Sequence, residues 1–182
     1  MSNKDYEIKV DGEFHQFEGG GVRYTKTGKG RFDLIPEEVL EFICDYMLNY
    51  ASYLPTTVNR CTIISDIASG HIIQAIIGII MMKYGSKELM NLSDDETVID
   101  VTEITFDDIM LAFTRMLPDL AVHYEKGAAK YGENNWKKGI PIESFYDSGF
   151  RHTCQYLNGE TDEPHYISAI WNFFCLLYIQ DC

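Results

Sequence analysis

Long apolar runs, paired cysteines and a surplus of positive charge are all missing from this chain of 182 residues. The one suspicious apolar stretch, Ile72 to Met82, spans 11 residues and contains Gln74. A bilayer span needs about 20 such residues, so no membrane is expected as a partner, and the run predicts a helix buried inside a bundle or a dimer. Five cysteines, Cys44, Cys61, Cys154, Cys175 and Cys182, are scattered without a CxxC pair. They read as reduced residues of a cytoplasmic protein, not as a disulfide frame or a zinc site. Basic side chains number 15 against 28 acidic ones, a formal charge of −13. Duplex nucleic acid is not expected to bind, because its affinity rests on neutralising phosphates with Lys and Arg. The opening MSNKDYEIKVDGEFHQ is polar and predicts no secretory leader.

What is present is ordinary globular material, 46% hydrophobic and 24% charged, enough to bury one core. Most of the acidic side chains serve solubility, although hard divalent cations also want carboxylate oxygen. Tyr6, Ile8, Val10, Phe14 and Phe17 alternate loosely and predict a short hairpin or arm over residues 1–20, turning at Asp11-Gly12. Pro36, followed by Glu37 and Glu38, opens a helix running to about Tyr50. A second helix is expected over Ile63 to Tyr84 and a short strand among Val98, Ile99, Val101 and Ile104. A long helix then starts at Asp107 and Asp108 and runs to about Tyr131, kinked or broken at Pro118. Two more are expected, Glu143 to Leu157 and Glu163 to Ile179, the last with Asp162 as N-cap and Pro164 in its first turn. The fold class is therefore all-α, a bundle of five or six helices.

Ionisable groups recur on helix faces that are otherwise apolar, and buried charge is costly unless it is paired or holds a metal. Glu125 is followed three and four residues on by Ala128 and Ala129, so the carboxylate has room around it. Lys126 and Lys130 form a basic stripe beside it, and Gly132 suits the C-cap of that helix. The turn ENNWKKGIP supplies Asn134, Asn135 and Trp136, types suited to hydrogen-bonding or stacking on a base, or in the case of Trp136 to plugging the core. Arg151 has the fork of donors that phosphate wants, whereas the adjacent His152 reads chiefly as a packing residue. His165, Ser168 and Asn172 share a face at helical spacing, and Asn172 must be either a buried clamp or a base or ribose contact. Near the N-terminus, VRYTKTGKGRFDLIP is basic and glycine-rich in an acidic chain, so Lys26, Lys29 and Arg31 are candidates for phosphate oxygens or for a plain solvated loop. It lacks the Walker pattern.

Three segments, TKTGKGRFDLIPEEVL, YEKGAAKYGENNWKKGIPIESFYDSGFRH and GETDEPHYISAIWN, taken in that order resemble the phage-associated dATP/dGTP diphosphohydrolases of the MazZ type. These belong to the all-α NTP pyrophosphatase (MazG-like) superfamily. The resemblance covers Thr25 to Leu40 and Tyr124 to Asn172. It implies one helical domain over 1–182, in which about 51–117 is an insertion relative to the minimal core. It also implies hydrolysis of a purine deoxynucleoside triphosphate to monophosphate and pyrophosphate with Mg²⁺ or Mn²⁺, in a homodimer or homotetramer of the host cytoplasm. Relatives carry ExxE on one helix and ExxD on the next. This chain departs from that pattern, with only Glu125 on the first helix and Glu160 to Glu163 near the second.

Carried over residue by residue, the resemblance makes Glu125, Glu160 and His165 catalytic and Glu125, Glu160 and Asp162 the metal ligands. Lys26, Lys29, Arg31, Lys130 and Arg151 would take phosphates; for the base, the candidates by residue type are Asn135, Trp136 and Asn172. Two other functions fit the same residues. A helical pocket with a basic loop would also sequester a nucleotide or a nucleotide-derived signal without cleaving it, and the apolar helix would suit an oligomeric scaffold.

Overall fold

The computed structural model describes residues 14–16, 18–24, 28–49, 57–85, 99–100 and 105–181. Among them the order is β1 (Phe14–Gln16), β2 (Val22–Tyr24), a 3-10 turn (Phe32–Leu34), α1 (Glu37–Asn49), β3 (Thr57–Val58), α2 (Arg60–Ala68) and α3 (Ile72–Tyr84). There follow β4 (Ile99–Asp100), α4 (Phe106–Tyr131), a second 3-10 turn (Asn135–Lys137), α5 (Ile142–Leu157) and α6 (His165–Asp181). The architecture is all-α, with two minimal antiparallel ribbons that pair Phe14 with Tyr24 and Val58 with Ile99. The first ribbon reverses between Gln16 and Val22, where Gly20 takes φ +80°. The Asp11-Gly12 turn, Lys26 and the flanks of the expected strand, Val98, Val101 and Ile104, lie outside the described residues.

The helix expected over Ile63 to Tyr84 is two helices. Asn59 and Thr62 form a capping box at the start of α2, and the chain then turns through Ser69, Gly70 and His71, with Gly70 in the left-handed region at φ +77°. Glycine reaches that region at no steric cost, so the break falls there. From Ile72 to Met81 only Gln74 escapes full burial, because α2, α4 and α6 all pack on α3. The apolar run, expected inside a bundle or a dimer, is thus covered by the chain itself, and buried described residues of 51–117 belong to the same core as the rest.

α4 opens on a capping box between Thr105 and Asp108 and runs unbroken for 26 residues. Pro118 does not end it. The proline ring is exposed, and buried Met116, Leu120, Ala121 and Tyr124 on either side fix the helix to the core. α5 and α6 form a tight antiparallel pair. A Cβ at Gly149 would come within 2.5 Å of the Phe173 ring, so only glycine permits this approach. The turn between them, with Gly159 at φ +80°, sets the C-terminal half of α5 against the first turn of α6.

Candidate functional site

The glycine-rich segment is tied to α4 by the carboxylate singled out in the sequence. Glu125 accepts the backbone N–H of Gly28 at 2.8 Å on Oε1 and that of Gly30 at 2.9 Å on Oε2. One turn earlier, Ala121 O accepts the Arg31 N–H at 3.0 Å. Gly30 lies so close to α4 that a Cβ would stand 2.7 Å from Ala121 Cβ, and its φ is +85°. Glu125 is therefore a strap for the loop, with both oxygens engaged.

Two adjoining compartments lie along α4. The first, about 280 Å³, is apolar and is lined by Leu34, Tyr124, Asn135, Trp136 and Ile140 among others. The second, about 630 Å³, is polar and is lined by Asp119, Lys126, Lys130, His152, Glu163 and Asn172 among others. His123, Gly127, Tyr131 and Trp171 line both. Trp136 stands edge-on to Tyr124 and to Tyr178. Among the described residues its buried Nε1–H has no acceptor, and the buried Tyr124 hydroxyl has the Cys175 thiol beside it. Burial pushes the His123 imidazole down to about 4, so it is a neutral group at physiological pH.

At the far end of the polar compartment the α5–α6 turn gathers histidine and carboxylate. His152 Nδ1 and His165 Nδ1 are 3.0 Å apart. Glu163 Oε1 lies 3.2 Å from the first and 3.3 Å from the second. His165 Nε2 donates to Asp162 Oδ1 at 2.8 Å, a hydrogen bond that holds the Asp162 carboxyl below its ordinary range. Arg151 faces His152 Nε2 at 3.2 Å and bonds Gln155, which in turn donates to Glu160. Burial, with the Arg151 guanidinium second, pushes His152 below the usual imidazole range. Among the described residues, two sets have every ligand atom within 4.8 Å of the others: His152, Glu163 and His165, and Glu160, Asp162 and His165.

Most of the residues nominated from sequence are distributed over three places, and Glu125, Lys29 and Arg31 lie apart from them on or against the glycine-rich loop. Lys130 and Asn172 line the polar compartment, and Asn172 donates within its own helix, to Ser168 O at 2.8 Å, instead of clamping a neighbouring helix. Asn135 and Trp136 line the apolar one. Glu160, Asp162, His165 and Arg151 meet at the α5–α6 turn. Arg31 spends its guanidinium on Asp33 and Glu133, and Lys29 is exposed. Asp119, Lys126 and Glu163 were not nominated. Asp119 accepts hydrogen bonds from Tyr84 and Tyr166. The signal for the first two was the spacing itself: Asp119, His123, Lys126 and Lys130 recur at helical intervals along one stripe of α4.

Residues 97–182 match the family model described as dATP/dGTP diphosphohydrolase, N-terminal. Neither the curated proteins nor the solved structures supply a match. The matched stretch contains α4, α5 and α6 and every residue lining the two compartments except Leu34. That stretch is similar to the dATP/dGTP diphosphohydrolase N-terminal family, and the all-α bundle is consistent with the MazG-like superfamily.

Proposed function

We propose that the chain hydrolyses a purine deoxynucleoside triphosphate, of the dATP or dGTP kind, to the monophosphate and pyrophosphate. One observation carries the reading: an apolar and a polar compartment adjoin across a shared wall of His123, Gly127, Tyr131 and Trp171. The base enters the apolar side among Trp136, Tyr124 and Trp171. The phosphates lie in the polar side, where Lys126 and Lys130 supply positive charge.

A water oxygen bonds to the α-phosphorus, the bond from that phosphorus to the bridging oxygen breaks, and pyrophosphate departs. Glu163, whose second oxygen is not committed to the histidines, takes the proton of the attacking water. The residues present fit a hard divalent cation such as Mg²⁺ or Mn²⁺, which binds through one or two carboxylates and substrate phosphate while keeping several waters. Glu160 and Asp162, both exposed and gathered beside His165, would hold it. When bound, such a cation offsets the charge that develops on the leaving pyrophosphate. Glu125 contributes by fixing the glycine-rich loop, in place of the ligand role that the resemblance implied.

Incubating the full chain with dATP, dGTP, dCTP and dTTP, each with Mg²⁺ or Mn²⁺, tests this. The expected products are monophosphate and pyrophosphate, formed faster from the purines. Release of orthophosphate, or tight nucleotide binding with no product, would overturn the reading, the latter in favour of a sequestering protein.

A further inference from the structure

At the α5–α6 turn, Glu163 and two histidines form a set of three donor atoms with the dimensions of a coordination face. We propose that His152 Nδ1, His165 Nδ1 and Glu163 Oε1 bind a divalent first-row transition-metal ion whose remaining positions open into the polar compartment. The edges of this triangle are 3.0, 3.2 and 3.3 Å. Ligand atoms about 2.1 Å from an ion stand about 3.0 Å apart at right angles and about 3.4 Å apart at tetrahedral angles. All three edges fall in that interval. Two imidazole nitrogens and one carboxylate oxygen suit Mn²⁺, Fe²⁺, Co²⁺, Ni²⁺ or Zn²⁺, whereas Mg²⁺ prefers oxygen alone.

The surroundings are those of a metal site. His165, 1% exposed, donates through Nε2 to Asp162, and this fixes its tautomer so that the Nδ1 lone pair faces the triangle. Metal-ligating histidines carry such a carboxylate partner as a rule. His152 and Glu163 both line the polar compartment, so the open side of the ion faces the place where phosphate oxygens would lie. Without an ion, Arg151 faces His152 Nε2. A guanidinium only donates, so that nitrogen accepts and the His152 proton sits on Nδ1. To ligate through Nδ1, His152 must pass this proton to Nε2, and Arg151 must swing away. Metal binding then frees the Arg151 guanidinium, with no net proton released.

The site shares Glu163 and Asp162 with the hydrolase reading, and its test uses no nucleotide, so the two can fail separately. The full chain is titrated with Co²⁺ and ligand-field absorption is recorded, with Mg²⁺ as competitor. The expected result is one ion per chain, displaced by Zn²⁺ and not by millimolar Mg²⁺. His165→Ala should abolish the band. Because His165 is buried, Glu163→Gln at the half-exposed position serves as the second variant, with affinity lowered at least tenfold and unchanged circular dichroism. Asp162→Asn should weaken binding about 10–100-fold as the loss of a partner to a ligand. Arg151→Ala should tighten it, since the guanidinium no longer competes for the ring. Absence of a Co²⁺ band, equal displacement by Mg²⁺, or wild-type affinity in Glu163→Gln would each overturn the assignment.

Discussion

α3 and α6 are buried to nearly the same degree and built for different purposes. Along α3 every residue from Ile72 to Met81 except Gln74 is both buried and apolar or glycine. Along α6 an equally buried helix carries His165, Ser168 and Asn172 among Ile167, Ile170, Phe173 and Phe174. Those three polar residues recur at helical spacing, so they form one stripe, and the two of them that line the polar compartment, Ser168 and Asn172, sit beside Asp119 and Lys126. Burial without chemistry stabilises the bundle. Burial with chemistry gives up part of that gain to build a site.

Substitutions on the two helices should separate these roles. The largest effect belongs to α3: Ile76→Ala, at a fully buried position, should cost about 2–5 kcal/mol in urea-monitored unfolding. Next comes a pH effect on the site side. His123 is held neutral with its pKa pushed from 6.5 to about 4 by burial, so the unfolded chain takes up the proton first as pH falls. Stability is complete above pH 6.5 and declines from there toward pH 4, by up to about 3 kcal/mol. Thermal melts of His123→Phe should show a flatter profile across that window. A steep profile that persists in this variant would assign the effect to another group.

Glu125→Ala removes two charge-assisted acceptors of the loop and should cost about 1–3 kcal/mol, with the largest gain in amide exchange at Gly28 and Gly30. The smallest stability change is expected at Asn172→Leu. That residue donates one hydrogen bond, to Ser168 O, and an apolar replacement of similar size should stay within about 1 kcal/mol of the native chain. Nucleotide turnover should nevertheless fall at least tenfold. A stability loss there as large as at Ile76 would erase the distinction between the two helices.

The same contrast governs what could be read from the sequence. α1, α5 and α6 were legible to within two residues, because Pro36, Glu37 and the apolar spacing are local signals. The break at Gly70 was not, since the apolar pattern runs through it and only the left-handed backbone marks the turn. Within the site, the C-terminal segments that resemble the diphosphohydrolases fall inside the matched stretch 97–182. The partners of individual side chains depend on tertiary approach. His152 looked like a packing residue because nothing local reveals a His165 nitrogen 3.0 Å away. Glu125 looked like a free carboxylate because the backbone it binds lies 95 and 97 residues away in the chain.

Both tryptophans of the chain, Trp136 and Trp171, line the apolar compartment, which makes their fluorescence the most direct probe of where a purine nucleotide goes. If base and phosphates occupy the adjoining compartments, dATP and dGTP should quench the emission saturably. Inorganic triphosphate should compete without quenching, and Trp136→Phe should remove a large part of the signal. Binding detected by calorimetry with no change in tryptophan emission would contradict the proposed placement of the base.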